Sequence, residues 1–162
     1  MLVGSTIDLT HCFVRYTTPS VIRQSWAAAH TKGRVPWIKP DLEDRMWEYL
    51  GGVIRGNGGM SHRVGGVDDH VHLAVTLPPT IALSKFLQLL KGSSSQWAND
   101  SELRWNGFGW QDGYSAFTVS ESQLPTVINY ISSQREHHSQ TTFQDEVRQL
   151  LTRHGIAADE RG

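Results

Sequence analysis

A chain of 162 residues with 38% hydrophobic residues and six tryptophans is long enough and apolar enough to bury one core. Its single cysteine, Cys12, excludes an intramolecular disulfide and a cysteine-built zinc site. No apolar run approaches a membrane span and no basic-then-apolar leader opens the chain, so a cytoplasmic location with no membrane partner is expected. The formal net charge of −1 is not that of a globally basic protein. Before Asp41, however, Arg15, Arg23, Lys32, Arg34 and Lys39 stand against Asp8 alone. Such a local excess suits phosphates, yet on charge alone it reads better as a solvated segment.

In chain order, residues 6–16 read as a first strand, with Ile7, Leu9, Cys12, Val14 and Tyr16 nearly alternating. Residues 17–39 read as a long excursion. Ser25 to Ala29 suits a helical turn, but Pro19, Gly33, Pro36 and Pro40 break the segment. From Asp41, the spacing of Leu42, Met46, Tyr49, Leu50 and Val53 predicts a helix, ended by Gly56, Gly58 and Gly59. Met60 to Val67 and His70 to Leu77 read as a hairpin turning at Asp68-Asp69, with a bend or bulge at Gly65-Gly66.

A second helix is expected after Pro78-Pro79, with Thr80 as its N-cap and Leu83, Leu87, Leu90, Ser94 and Trp97 along one stripe. Residues 99–113 read as a polar loop and Tyr114 to Val119 as a fourth strand. Ser120 to Gln123 offers a capping box for a helix running to about His138. A last helix is expected over Phe143 to about Arg153, capped by Thr142. The order strand, helix, strand, strand, helix, strand predicts an α+β, ferredoxin-like (split βαβ) antiparallel four-stranded sheet with helices on one face.

The chemistry concentrates at two places. Side chains alternate along a strand, so His70 and His72 leave one face while Val71 leaves the other. Two adjacent imidazoles suit a divalent metal. On the helix after the fourth strand, Tyr130 and Gln134 are four apart and share a face, which His137 continues. Taken singly, each has an ordinary reading: a structural histidine pair, a core tyrosine, a glutamine facing water. Trp97, Trp105 and Trp110 read mostly as core, although an exposed ring can stack on an unpaired base. Lys91 ends or reaches beyond its helix, within range of a phosphate. Asp69 reads equally as a turn residue or as a carboxylate that orients a histidine.

Together these segments resemble a known family. His70-Val71-His72 resembles the HUH signature, and Tyr130-x-x-x-Gln134 resembles the helix motif of the single-tyrosine HUH transposases of small bacterial insertion sequences, the IS200-like family. Residues 67–73, 90–97, 110–120 and 130–138 are similar to family signatures in family order. The likeness covers roughly residues 35–155. It implies one domain over residues 1–162, with an added catalytic-tyrosine helix and residues 155–162 as a flexible tail. Residues 17–33 are longer than the family pattern and read as an insertion.

The resemblance implies chemistry on single-stranded DNA. His70, His72 and Gln134 would hold one divalent ion, Mg2+ or Mn2+, against the scissile phosphate. Tyr130 would attack phosphorus, giving a 5′-phosphotyrosine and a free 3′-OH, and a second 3′-OH would reverse the step. The substrate would be DNA with a hairpin, and the assembly a homodimer. Two other readings stand beside this one. The first is a decayed or host-adopted protein that binds single-stranded nucleic acid without cutting it. The second is a metallohydrolase that uses water as its nucleophile.

Overall fold

The computed structural model describes residues 23–100, 106–134 and Glu136. Its elements in chain order are β1 (Arg23–His30), α1 (Glu43–Gly56), β2 (Met60–Val67), β3 (His70–Leu77), α2 (Leu83–Asp100), β4 (Ser115–Thr118) and α3 (Leu124–Ser132). The strands form one antiparallel sheet in the order β2-β3-β1-β4. This is the ferredoxin-like plan, with α3 added. Among the described residues, no helix is long and apolar enough to cross a membrane.

Period-two alternation divides the sheet into two faces. From β3, Val71, Leu73, Val75 and Leu77 enter one core with Met46, Leu50 and Ile54 of α1 and Phe86, Leu87 and Leu90 of α2. Each of these large side chains, fully buried, contributes about 1.5–3 kcal/mol of apolar transfer. Ala74 of β3 lies on the opposite face. There it joins Trp26 of β1, Phe117 of β4, and Val127 and Ile131 of α3 in a second core. His70 and His72 share the parity of Ala74 and therefore look toward α3.

The hairpin of β2 and β3 lies where the residue pattern predicts, with Val67 paired to His70 across the Asp68-Asp69 turn. The irregularity in β2 falls between Ser61 and Arg63, not at Gly65-Gly66, which pair regularly with His72 and Val71. Gly66 is needed for another reason: a Cβ there would collide with the His70 carbonyl. The turn is anchored from outside. The Thr31 backbone N–H donates to the Asp69 carbonyl (2.8 Å), and that of Ile38 donates to the Asp68 carbonyl (2.9 Å).

Several expectations are corrected, and others fall outside the described residues. Residues 6–16 lie outside the described residues. The strand β1 comes from Arg23–His30, inside the stretch read as an excursion and, in part, as an insertion over 17–33. Ser25 to Ala29 is central strand, not a helical turn, because β3 and β4 flank it and both of its faces are covered. Helix α2 begins at Leu83, so Thr80 does not cap it; the Phe86 N–H reaches the Ala82 carbonyl. Ser120 makes no side-chain cap. A 3-10 turn, Glu121–Gln123, leads into α3 instead. The last helix predicted from Phe143, with His137 and His138, lies outside the described residues.

Candidate active site

Helix α3 crosses the sheet on the face of His70 and His72, packed against β2 and β3. The close approach depends on Gly65, which pairs with His72 in the sheet. A Cβ at that position would lie 2.9 Å from Ile131 Cγ2 and 3.0 Å from the Ile131 carbonyl oxygen. Only a residue without a side chain lets the helix settle this deeply. After one irregular residue, Ser133, the chain is helical again at Gln134 and Glu136.

The three candidate metal ligands meet at this crossing. His70 is 0% exposed, His72 1% and Gln134 1%. The His70 and His72 ring centroids are 5.1 Å apart and nearly perpendicular. Gln134 Oε1 lies 3.4 Å from His70 Nε2, while Gln134 Nε2 points back to the Tyr130 carbonyl at 3.4 Å. Both contacts are long, and together they turn the amide oxygen toward His70. Tyr130 is half-buried at the rim, its ring edge-on to His72 (5.6 Å) and to Trp26 (5.5 Å). The tyrosine and the three candidate ligands therefore come together within one chain.

Asp69 performs both roles that the residue pattern leaves open. It closes the hairpin, and its Oδ1 lies 2.7 Å from His70 Nδ1. An ionised carboxylate only accepts, so His70 Nδ1 carries the proton and Nε2 presents a lone pair when the ring is neutral. That lone pair faces the acceptor oxygen of Gln134. Two acceptors facing each other suit a shared cation. Asp69 Oδ2 also lies 4.0 Å from Arg34, which holds a positive φ of 55° in the turn after β1.

Three residues at or beside the site escape reasoning on sequence. Gly65 is the first. Trp26 is the second: its indole N–H donates to His72 Nδ1 at 3.2 Å. His30 is the third, the cross-strand partner of His70 on the same face. Only strand register reveals Trp26 and His30, which β1 sets beside Ala74 and His70 of β3. Lys91 is corrected: its Nζ donates to the carbonyls of Gln111 (2.6 Å) and Gly113 (2.7 Å) and so ties down a loop. Burial lowers its pKa, with Asp112 opposing. Trp110 is buried and donates to Ser94 Oγ, and Trp97 stacks on Tyr49, so both pack internally. Trp105 lies outside the described residues.

Burial first, and the Arg34 charge second, hold the His30 pKa below its ordinary 6.5. A depressed histidine binds fewer protons folded than unfolded. Its contribution to stability is therefore retained above pH 6.5 and is lost as pH falls from there through the folded value. His30→Gln is expected to flatten that part of the acid dependence, read as melting temperature at pH 8 against pH 5. An unchanged difference between the two pH values would exclude His30 as its source.

Among the described residues, no cluster of three or more His, Cys, Asp or Glu could hold a metal ion. The candidate set is two imidazoles and an amide. Comparison with known proteins bears on its context. The chain is 29% identical over 101 residues to the ISDra2 transposase TnpA of Deinococcus radiodurans, covering 59% of this chain and 72% of that one. A transposase crystal structure from Deinococcus radiodurans R1 superposes with a TM-score of 0.55 at 23% identity, covering 75% of this chain and 98% of that one. A REP-associated tyrosine transposase bound to a REP hairpin superposes with a TM-score of 0.57 at 15% identity, covering 93% and 94%. At those identities, the two structures establish the shared fold alone. The family model "Transposase IS200 like" matches residues 27–134, from β1 to the last of the three candidate ligands, and the chain belongs to that family of transposases.

Proposed function

We propose that this chain is a metal-dependent DNA strand transferase that cuts and rejoins single-stranded DNA at hairpin-flanked sites, acting as a homodimer. Tyr130 is the nucleophile, and His70, His72 and Gln134 are the ligands of one Mg2+ or Mn2+. The observation that carries this reading is the crossing of α3 over β3. It sets Gln134 Oε1 3.4 Å from His70 Nε2 and the Tyr130 ring 5.6 Å from that of His72. The hairpin DNA held by the REP-associated relative supports the choice of substrate.

The donor set fits such an ion. Two neutral imidazoles and an amide oxygen add no negative charge and do not close a four-ligand cage. A bound divalent ion supplies Lewis acidity to a non-bridging phosphate oxygen. The remaining work belongs to the chain. The Tyr130 oxygen forms a bond to phosphorus, the bond from phosphorus to the 3′-oxygen breaks, and the phenolic proton leaves to the released 3′-oxygen. The product is a 5′-phosphotyrosine with a free 3′-OH. A phenol titrates near pH 10 and needs activation to attack. The same low basicity makes it a better leaving group than an alkoxide when a 3′-OH returns.

The test uses labelled single strands that fold into hairpins, including any imperfect palindrome found beside the coding region. With Mn2+, a labelled adduct that survives denaturing electrophoresis is expected. Cleavage without an adduct would replace Tyr130 by water, and binding without cleavage would leave a nucleic-acid-binding module. Asp69→Asn keeps a turn-forming residue but weakens the hold on His70 Nδ1. It is expected to weaken Mn2+ binding about 10–100-fold by calorimetry. Unchanged affinity would reduce Asp69 to a turn residue.

A further inference from the structure

The two histidines of the site are held in different ways. The Asp69 carboxylate faces His70 Nδ1 and accepts from it. Trp26 faces His72 Nδ1 and donates to it, at 3.2 Å between buried side chains. An indole nitrogen is a donor only, so this bond requires a lone pair on His72 Nδ1. The proton of the neutral ring then lies on Nε2. Trp26 cannot easily turn away. It is 8% exposed, stacks on His72 at 5.7 Å, and is packed against Phe117 (5.6 Å) and Tyr130 (5.5 Å). Its backbone is fixed in a central strand, paired to Ala74 on one side and Phe117 on the other.

We propose that Trp26 is a positioning residue that locks His72 in the Nε2–H tautomer, so that the metal-free chain keeps His70 ready to ligate through Nε2 and holds His72 switched off. The inference rests on the proposed metal site. Ligation by His72 Nε2 needs a lone pair on that atom. The proton must therefore move from Nε2 to Nδ1, which leaves the ring's net charge unchanged. Nδ1–H and the indole N–H are then two donors facing each other, and the bond between them is lost. Occupancy of the site is thereby coupled to the rings that Trp26 touches, Tyr130 among them.

The lock is tested first without metal, by two-bond 1H–15N correlation spectra with His72 assigned from a His72→Asn variant. The expected spectrum has an unprotonated Nδ1 and a protonated Nε2 at His72, with the reverse at His70. Trp26→Phe keeps a ring and removes the donor. It is expected to release His72 into a mixture of tautomers and to tighten Mn2+ binding by about three- to tenfold, the worth of one hydrogen bond. A wild-type His72 protonated on Nδ1, or a folded Trp26→Phe chain that binds Mn2+ no more tightly than wild type, would overturn the proposal. If Trp26→Phe does not fold, the wild-type tautomer decides alone. If neither chain binds Mn2+, the metal-site reading fails, and the metal-free spectrum still decides whether the lock exists.

Discussion

Tyr130→Phe is expected to leave a folded chain that forms no covalent link to DNA, with adduct yield falling by on the order of 10³ or more, since removal of a nucleophile forfeits the chemical step. The substitution is a clean one here. Phenylalanine keeps the edge contacts with Trp26 and His72 that the tyrosine ring makes at 5.5 and 5.6 Å. It removes only the hydroxyl. Gln134 packs through the Tyr130 carbonyl, which is backbone, so the candidate ligands stay in place. Mn2+ affinity and hairpin binding should therefore match wild type, and the melting temperature should move by no more than about 2–4 °C. An adduct formed at wild-type yield by Tyr130→Phe would transfer the nucleophile to another residue.

Gly65→Val should uncouple α3 from the sheet. At Gly65 even the first added carbon meets Ile131 at 2.9 Å and the Ile131 backbone oxygen at 3.0 Å. Helix backbone cannot yield by rotating a side chain, so the helix must move. Overpacking of this kind costs about 1–3 kcal/mol, and a displacement near 1 Å at a reacting group costs about 10² in rate. The expected signature is an adduct yield down about 100-fold with a chemical denaturation midpoint only modestly lowered, because the core with α1 and α2 lies on the other face. Gly92→Ala is the control: nothing lies within 4 Å of its added carbon, and alanine favours the helix. Wild-type adduct yield in Gly65→Val would mean that packing of α3 on β2 does not position Tyr130.

The outcome along the chain follows the physics of each segment. The β2–β3 hairpin was legible because Met60–Val67 and His70–Leu77 are strand runs separated by a two-residue polar turn. Helices α1 and α2 were legible because each buries one stripe, Met46, Leu50 and Ile54 in the first and Phe86, Leu87 and Leu90 in the second. Strand β1 was illegible for the opposite reason. Ser25 to Ala29 are all buried, so no polar face marks the period of two, and three consecutive alanines carry helix propensity. The sheet overrides that propensity by supplying hydrogen-bonding partners on both sides.

By itself, the sequence determined which groups are available for chemistry: a His-x-His pair whose spacing puts both imidazoles on one face of a strand, and a tyrosine and glutamine one helical turn apart. Those are local consequences of a 2.0 and a 3.6 residue period, and they hold in any fold that keeps the strand and the helix. Resemblance to the family implies that the two pairs meet, and the tertiary structure shows how: Gly65 admits α3 to the histidine face. The tertiary structure alone decided that Asp69 and Trp26 address the two histidines with opposite hydrogen-bonding sense. Such contacts join residues far apart in the chain through strand register and helix docking, and no local period encodes either.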